Sequence, residues 1–557
     1  MEKSTPKILK NKLFLYLTEF FAGMSVMAVE LGASRLLAPY FSSSQIVWTI
    51  IIGTIMIAMA LGNIYGGRSA DRDPDPGRLY RRILIAAVWI AAIPVLGKYL
   101  ILGIAAVVIF SVNTNFLIIA AFAACMVIFV FPLFLLGTVT PSLAKFSVGS
   151  LEDSGKTVGT LGAFNTVGSI IGTFVPTFVT IPSVGTSVTF LIFAGILLAL
   201  SVVYFVSAEK GRARAVVSSI LFLACCCLGY SDSFAFWESS LTYEGESVYN
   251  YLQVREDPRK VILSTNVLFG VQSMYLKQEG LTGMYYDYCL AAPLMVADRE
   301  AKDCEVLVLG MGTGTYAVQY DRYFGKTSDK MPAASMDSEV VASGSASISI
   351  EGVEIDEKIT ALAREYFCLP EEVKVTTYDG RAFLNAVDKK YDVIMVDAYQ
   401  DITIPFQMSS VEFFVLVKQH LSENGVMVVN MNMRGRGEGS INQYLSDTIS
   451  VVFGQVYTVE VAGSTNRELF ASDNPDMLAV FEERKEGLDR SGDLYHMMQQ
   501  VSRGITKYQA GNYILTDDKA PVELLGMRVI DELIEDEAAY YKEIFRTQGI
   551  KGLLESF

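Results

Sequence analysis

The sequence predicts an α-helical multi-pass membrane bundle followed by an α/β domain, on three features of its 557 residues. Half of the chain is hydrophobic (51%) and only 19% is charged, which excludes a disordered or fibrous protein. Long apolar stretches are confined to residues 1–230, whereas short apolar runs alternate with helical stretches from residue 231 onward. Charge divides the same way: residues 1–230 hold 16 Lys+Arg against 9 Asp+Glu, net +7, and the remainder holds 29 against 51, net −22.

Six of the apolar stretches are long enough, as helices, to cross a hydrocarbon core of about 30 Å. They lie at residues 13–32, 46–65, 83–110, 116–137, 158–180 and 186–206. A seventh stretch, residues 215–230, has a length at or below the short limit for a span. We interpret it as a non-spanning or atypical segment, so the bundle is expected to have six or seven helices.

Basic residues predict the orientation of these stretches. Lys and Arg cluster before the first stretch, after the second and after the sixth, whereas the connections 111–115 and 181–185 carry no charge. Because cytoplasmic loops are rich in Lys and Arg, the N-terminus and the basic loops are expected inside. Six crossings would then keep the acidic half in the cytoplasm, and seven would place it outside.

The first stretch also carries ionisable side chains. Glu19 and Glu30 lie within it and Arg35 lies just beyond it. Such groups inside a membrane span indicate either a functional site or a buried pair. We interpret Glu30 and Arg35 as a buried pair that fixes helix packing.

Cysteine, histidine and charge argue against several classes of function. The seven cysteines follow neither a disulfide nor a metal-ligand spacing. The two histidines, His420 and His496, lie in no catalytic or ligand-like motif, so neither zinc hydrolysis nor a Ser-His-Asp triad is expected. No metal cofactor is predicted. The acidic half argues against nucleic acid as a partner.

A glycine-rich turn follows the first buried strand of the acidic half. Residues 306–309 (VLVL) run into Gly310, Gly312 and Gly314, and a helix is expected from about Tyr316. Glycines allow the backbone to approach a ligand, and the helix N-terminus offers free N–H groups. The spacing is G-x-G-x-G, so the dinucleotide pattern G-x-G-x-x-G is not met.

Carboxylates follow the next predicted strands. Glu354 and Asp356 end a strand, Asp379 precedes a helix, and Asp397 ends the strand that begins at Tyr391. The carboxyl ends of strands in an open α/β sheet form the crevice where ligands bind. The sequence therefore predicts an acidic ligand site at this edge of the sheet.

At these residues the sequence resembles the polyamine aminopropyltransferases, or spermidine synthases, over most of residues 240–435. Segments of the apolar half, including Glu30 to Tyr40 and Gly168 to Phe174, resemble bacterial proteins that fuse a multi-pass membrane domain to a spermidine synthase domain. The resemblance implies a Rossmann-like fold of the class I S-adenosylmethionine-dependent transferases, preceded by a small β-region.

The resemblance also implies an activity and a site. The reaction would transfer an aminopropyl group from decarboxylated S-adenosylmethionine to a diamine such as putrescine, with release of methylthioadenosine. Asp397 would be the catalytic carboxylate, assisted by Tyr285, and Glu354 would hold the ribose hydroxyls. Other cofactor contacts are expected from Asp379, Gly380, Gly310, Gly312, Thr313, Gly314, Asn250 and Gln272, and substrate contacts from Tyr286, Asp287, Tyr399 and Asp401.

Three positions differ from the family pattern, and two other functions stay open. Thr313 and Gln400 stand where the family usually carries Asp, and Asn250 stands where it usually carries Gln. Thr313 favours an S-adenosylmethionine-dependent methyltransferase-like enzyme on the same fold. The ionisable side chains within spans favour a transporter or sensor whose α/β domain binds a nucleoside or polyamine. These side chains are Glu19, Glu30 and Lys98.

We expect four segments: a transmembrane domain (1–230), a β-rich region (231–300), a Rossmann-like domain (301–530) and a helical tail (531–557). S-adenosylmethionine derivatives are made in the cytoplasm, so the catalytic domain is expected there, tethered to the cell membrane. The resemblance further implies a homodimer.

Overall fold

The fold class predicted from the sequence is confirmed: a bundle of apolar helices precedes a Rossmann-like α/β domain. Our computed structural model describes most of the 557 residues of the chain. Described are residues 7–41, 43–112, 115–147, 154–209, 211–229, 233–267, 270–325, 349–398, 404–432, 435 and 437–555. The segment 325–345 is rich in Ser, Ala and Asp, a composition that predicts an exposed loop, and it lies almost entirely outside the described residues.

The bundle contains nine helices among the described residues. They are α1 (Lys12–Phe41), α2 (Gln45–Arg72), α3 (Pro76–Ser111), α4 (Phe116–Ile128), α5 (Val130–Gly137), α6 (Val139–Ser147), α7 (Ser154–Val175), α8 (Ile181–Ser207) and α9 (Arg212–Gly229). Six stretches are apolar and long enough to cross a membrane, and one of them, the 54 residues 154–207, contains both α7 and α8. A π turn (Pro176–Thr180) lies between these two helices, and Gly185, whose φ is +80°, interrupts the helical backbone near the start of α8.

The closest helix packing in the bundle joins α1 and α7. A Cβ added to Gly168 would lie 2.0 Å from the carbonyl oxygen of Phe20, and one added to Gly172 would lie 2.1 Å from that of Met24. Small residues at this spacing let two helix backbones approach each other. The matching order of the contacts shows that α1 and α7 run in the same direction.

One end of the bundle carries the basic loops. Lys145 in α6 donates to Asp71 in α2 over 2.8 Å, and the ring of Tyr204 in α8 stacks on Tyr80 in α3 with centroids 4.2 Å apart. These residues all lie near the basic connections. The basic connections of the sequence therefore gather at one end of the helices.

The α/β domain contacts the opposite end of the bundle. Most bundle residues in this contact lie near helix ends that flank uncharged connections. Lys98 is the exception and lies in the second half of α3. Hydrogen bonds there join Arg35 to the carbonyl of Val248, Lys98 to the carbonyl of Ser233 (2.8 Å), Thr186 to Glu246 (2.7 Å), the N–H of Gln45 to Glu523 (2.8 Å), and the N–H groups of Asn115 and Phe116 to Asp531 (3.0 and 3.1 Å).

Helix α9, which covers the weak stretch 215–230, connects the two ends. It begins beside Phe205 near the basic end, where Gly211 would carry a Cβ 2.9 Å from that ring. It ends at Gly229, beside Pro94 of α3 and close to the domain. The bundle thus makes seven passes between the basic loops and the α/β domain. The sequence predicts both the N-terminus and the α/β domain on the cytoplasmic side. If the helices span a membrane, seven passes place the two on opposite sides, so these two expectations cannot both hold.

The β-region is an antiparallel meander of four strands. Its order is β1 (Leu241–Glu246), β2 (Tyr251–Glu256), β3 (Lys260–Ser264) and β4 (Ser273–Leu276). Two short helices, α10 (Tyr285–Cys289) and α11 (Ala291–Met295), lead from it into the Rossmann-like sheet.

The second sheet has eight strands in the order β12-β10-β11-β9-β8-β5-β6-β7. They are β5 (Val306–Leu309), β6 (Ile350–Glu354), β7 (Lys374–Thr377), β8 (Tyr391–Val396), β9 (Leu421–Met431), β10 (Gln455–Glu460), β11 (Arg467–Ser472) and β12 (Thr506–Lys507). Strands β5 to β9 pair in parallel, and the others add an antiparallel edge. The chain order reverses between β5 and β8, which is the position where such sheets bind ligands.

Helices cover both faces of this sheet. They are α12 (Thr315–Phe324), α13 (Glu357–Tyr366), α14 (Gly380–Ala386), α15 (Val411–Gln419), α16 (Ile441–Val452), α17 (Met477–Glu486), α18 (Asp493–Gly504) and α19 (Val522–Glu555). The two central strands, β5 and β8, are buried along their whole length, as is typical of a parallel sheet covered on both sides. The tail expected at 531–557 is the larger part of α19, which begins nine residues earlier, at Val522.

The contact between α1 and α7 provides a test of the bundle. In the variant Gly168→Ala, the new methyl group would clash with the Phe20 carbonyl, and we expect the unfolding free energy to fall by about 1–3 kcal/mol. Gly162→Ala is the matched control on the same helix, since nothing lies within 4 Å of its Cβ position. Thermal unfolding in one detergent, followed by circular dichroism, compares the two variants. Equal melting temperatures would contradict the packing of α1 on α7.

Candidate active site

A cleft of about 290 Å³ opens at the reversal point of the large sheet, between the β-region and the carboxyl ends of β5, β6 and β8. Residues from all these elements line it, and so does Ser43 from the connection between α1 and α2. Ten of the residues expected from the sequence lie in its wall: Asn250, Gln272, Tyr285, Tyr286, Gly310, Gly312, Glu354, Asp379, Gly380 and Asp397.

The glycine turn after β5 forms the floor of the cleft. Gly310 has a φ of +87°, and a Cβ there would lie 2.5 Å from the carbonyl oxygen of Asp397. Gly312 also has a positive φ, +54°, and its N–H donates to Glu354 over 2.8 Å. A side chain at Gly310 would both strain the backbone and push β5 away from the end of β8. The turn therefore needs glycine for close approach.

Two carboxylates lie in the cleft wall after neighbouring strands: Glu354 ends β6, and Asp379 follows β7. Glu354 accepts hydrogen bonds from the N–H groups of Gly312 (2.8 Å) and Asp356 (3.1 Å), and burial raises the pKa of its carboxyl. Asp379 accepts from the N–H of Ala382 over 2.8 Å and so caps α14. Both carboxylates are thus fixed in place by backbone donors.

Asp397 lies at the centre of the site, directly after β8. Its N–H donates to the carbonyl of Leu309, which ties it to β5 (2.8 Å). The Tyr285 hydroxyl donates to Oδ2 over 2.7 Å, and the Asn430 amide donates to Oδ1 over 2.8 Å. Burial raises the pKa of Asp397 to about 7, although these two hydrogen bonds lower it. The pKa of this carboxyl group therefore lies far above that of an exposed aspartate.

Two polar side chains of the site were not expected from the sequence. Asn430 ends β9 and holds Asp397, and Glu468 lies opposite Asn430 in the neighbouring strand β11. Glu468 is completely buried, its Oε2 accepts from the thiol of Cys289 (3.4 Å), and its Oε1 has no partner among the described residues. Burial holds the pKa of Glu468 well above its usual range. A carboxylate inside the apolar strand RELFAS is the signal that could have indicated it.

Several predicted residues lie outside the cleft wall. Asp287 is buried, and its carboxylate accepts hydrogen bonds from Thr282 and Gly283, so it fixes the turn before α10. Thr313 is also buried, and its hydroxyl has no partner among the described residues. Gly314 caps α12 with a φ of +81°. Tyr399, Gln400 and Asp401 lie outside the described residues.

The residues of the cleft fit a nucleoside that carries a cationic sulfonium. In α/β sheets, a nucleotide is held by a glycine-rich turn, the N-terminus of the following helix and a carboxylate at a strand end, which binds the ribose. Glu354, Asp379 and Asp397 provide negative charge for a cation. Fold and cleft together define a class: a Rossmann-like domain of the methyltransferase fold with an acidic cleft at the carboxyl ends of its strands.

Comparison with known proteins agrees with this class. Residues 295–462 match the family model described as the spermine/spermidine synthase domain. A probable polyamine aminopropyl transferase of Bifidobacterium longum is 50% identical over 370 residues, which cover 64% of this chain and 77% of that protein. A polyamine aminopropyltransferase of Vibrio vulnificus is 25% identical over 263 residues, 45% of this chain and 78% of that protein. The chain belongs to the polyamine aminopropyltransferase family.

Among solved structures, a spermidine synthase in complex with the transition-state analogue AdoDATO shares 17% identity with this chain. The match covers 44% of this chain and 78% of that one, with a TM-score of 0.34. A probable spermidine synthase from Corynebacterium glutamicum shares 19% identity over 44% of this chain and 87% of its own, also with a TM-score of 0.34.

Proposed function

We propose that the chain transfers an aminopropyl group from decarboxylated S-adenosylmethionine to an amine such as putrescine. The observation that carries this proposal is the position of Asp397, a buried carboxylate with a pKa of about 7 in the wall of the nucleoside cleft. A general base works best when its pKa lies near the operating pH. Membership of the aminopropyltransferase family supports the same chemistry.

In this mechanism, Asp397 accepts a proton from the acceptor amine. An alkyl ammonium has a pKa near 10.4, so the nitrogen needs a base to become a nucleophile. The nitrogen then forms a bond to the methylene carbon next to the sulfonium. The carbon–sulfur bond breaks, its electron pair stays on sulfur, and methylthioadenosine leaves. The Tyr285 hydroxyl and the Asn430 amide hold the two oxygens of Asp397 in one orientation.

The nucleoside would be held by the other residues of the cleft. Glu354 would accept hydrogen bonds from the ribose hydroxyls, and Asp379 with Gly380 would contact the adenine. Gln272, Asn250 and Tyr286 would close the cleft from the β-region and α10, where all three line its wall. Thr313 would support the cleft wall from outside, because its N–H donates to the hydroxyl of the wall residue Ser273 over 3.1 Å. Asp287 would do so by fixing the turn before α10.

A second candidate is a methyltransferase-like reaction with S-adenosylmethionine itself. The observation that favours it is Thr313, a neutral side chain where the family usually provides an acid for the amine of the aminopropyl group. The identity of the leaving nucleoside distinguishes the two reactions. Aminopropyl transfer releases methylthioadenosine, whereas methyl transfer releases S-adenosylhomocysteine.

Turnover with both substrates tests the proposed reaction. Purified full-length protein, supplied with putrescine and decarboxylated S-adenosylmethionine, is expected to release methylthioadenosine. Asp397→Asn keeps the shape of the side chain but removes the base, so we expect at least a 100-fold loss of kcat with little change in nucleoside affinity. Asp388→Asn, a carboxylate outside the cleft wall, is the control. Release of S-adenosylhomocysteine instead, or no product with any amine, would overturn the proposal.

The pH dependence of kcat/KM tests the proposed role of Asp397 as the base. Because Asp397 must be ionised to accept a proton, kcat/KM is expected to fall as the pH drops through about 7. Asn430→Ala removes a donor that stabilises the ionised form, so the pKa of Asp397 rises and the acidic limb moves to higher pH. Asn385→Ala, on the exposed side of α14, should leave the limb in place. An unchanged limb in Asn430→Ala would argue against Asp397 as the base.

We further propose that the bundle spans a membrane with its basic loops in the cytoplasm and the α/β domain on the opposite side. Support comes from the charge bias of the loops and from the seven passes, because the domain contacts the bundle at the uncharged end. This orientation replaces the cytoplasmic location expected from the source of the cofactor. Both substrates would then have to reach the cleft from that side.

Thiol labelling tests the orientation. Cys368 is exposed on the α/β domain, and Gly155 begins α7 at the basic end with nothing within 4 Å of its Cβ position. Two proteins are compared in cells, one keeping Cys368 as its only cysteine and one with Gly155→Cys in a cysteine-free chain. A membrane-impermeant maleimide should label the first in intact cells and the second only after permeabilisation. The reverse pattern would overturn the orientation.

A further inference from the structure

The bundle contributes to the nucleoside cleft through Arg35, near the domain end of α1. Its guanidinium donates a hydrogen bond to the carbonyl of Val248 in the β-region, 213 positions later in the chain. The sequence suggested a pair with Glu30 instead, but no ion pair joins the two side chains among the described residues. Arg35 therefore links the bundle to the α/β domain.

Val248 lies in a tight turn, residues 247–250, that borders the cleft. The N–H of Ser247 donates to the carbonyl of Asn250 over 2.8 Å and closes the turn. The side chains of Ser247 and Asn250 both donate to Asp356, over 2.5 and 2.9 Å. Tyr249 and Asn250 also line the cleft. A shift of this turn would therefore move part of the cleft wall.

Asp356 connects the turn to the carboxylate expected to hold the ribose. Its carboxylate accepts the two side-chain hydrogen bonds of the turn, and its N–H donates to Oε1 of Glu354 over 3.1 Å. A continuous path thus leads from Arg35 to Glu354. It runs through the carbonyl of Val248 and the turn 247–250 to the carboxylate of Asp356, and from the N–H of Asp356 to Glu354. The positive charge of Arg35 also faces two carboxylates, Glu246 and Asp356.

Further contacts fix the same face of the domain on the bundle. Both carboxylate oxygens of Glu246 accept hydrogen bonds from Thr186 at the start of α8, each over 2.7 Å. The N–H of Val267 donates to the carbonyl of Pro39 in α1 over 3.1 Å. Ser43, which follows α1, lies in the cleft wall itself. The end of the bundle is therefore continuous with one side of the cleft.

We infer that Arg35 is a positioning residue for nucleoside binding: it holds the turn 247–250 and, through Asp356, the ribose carboxylate Glu354. This inference rests on the proposed function, because it takes the cleft to be the nucleoside site. It makes the membrane bundle a structural part of the active site. Arg35 acts on binding, whereas Asp397 acts on the chemical step.

The test compares Arg35→Gln with Lys98→Gln in the full-length protein. Both side chains donate to a backbone carbonyl of the α/β domain, but the Lys98 acceptor, Ser233, is not part of the cleft wall. We expect Arg35→Gln to raise the KM for decarboxylated S-adenosylmethionine about tenfold or more while kcat changes less than twofold, since hydrogen bonds from charged groups are among the stronger ones. Arg35→Lys, which keeps the charge, should recover part of the affinity.

Binding of methylthioadenosine, measured by calorimetry, separates this inference from the proposed reaction. Wild-type turnover tests the reaction, and the ratio of dissociation constants between Arg35→Gln and wild type tests the positioning role. Thermal unfolding of each variant shows whether the chain is still folded. Equal nucleoside affinity in Arg35→Gln and Lys98→Gln would overturn the inference, as would a loss of kcat with unchanged KM, or failure of wild-type protein to bind the nucleoside.

Discussion

The burial of Asp397 is the constraint on which the rest of the site depends. A carboxylate removed from water needs hydrogen-bond donors, and these come from two elements: the hydroxyl of Tyr285 on α10 and the amide of Asn430 on β9. The backbone N–H of Asp397 donates in turn to the carbonyl of Leu309 on β5. Gly310 is required because any larger residue would separate β5 from the end of β8. The same burial raises the pKa of Asp397 to about 7, the range in which a carboxylate would act as a base at neutral pH.

The bundle has a role in this site beyond attachment. Its uncharged end meets the β-region, and the described contacts there lead through the turn 247–250 towards Glu354. If Arg35 positions the turn 247–250 as we infer, loss of the bundle would loosen this side of the cleft. The arrangement also sets the side of the membrane on which the reaction would occur, because the domain and the basic loops lie at opposite ends of seven passes.

Local patterns predicted much of this structure. Hydrophobic stretches located the helices of the bundle, and glycines and strand-end carboxylates located five residues of the cleft wall: Gly310, Gly312, Glu354, Asp379 and Asp397. Five more wall residues were expected only from the family resemblance: Asn250, Gln272, Tyr285, Tyr286 and Gly380. What the sequence could not predict depends on contacts between distant segments. Arg35 lies 213 positions from Val248, and Glu468 lies opposite Asn430 only because β11 pairs with β9. From the sequence, the stretch of α9 is interpreted as non-spanning or atypical, because length alone does not show that the two ends of this helix reach opposite ends of the bundle.

We propose that one cleft, with Ser43 of the bundle in its wall, holds the nucleoside beside Asp397. The most direct measurement is an experimental structure of the full-length protein in a lipid nanodisc with methylthioadenosine and putrescine. We predict the ribose at Glu354, the sulfur facing Asp397, the turn 247–250 held by Arg35, and the domain on the face away from the basic loops. A nucleoside bound elsewhere, or a domain on the side of the basic loops, would contradict this account.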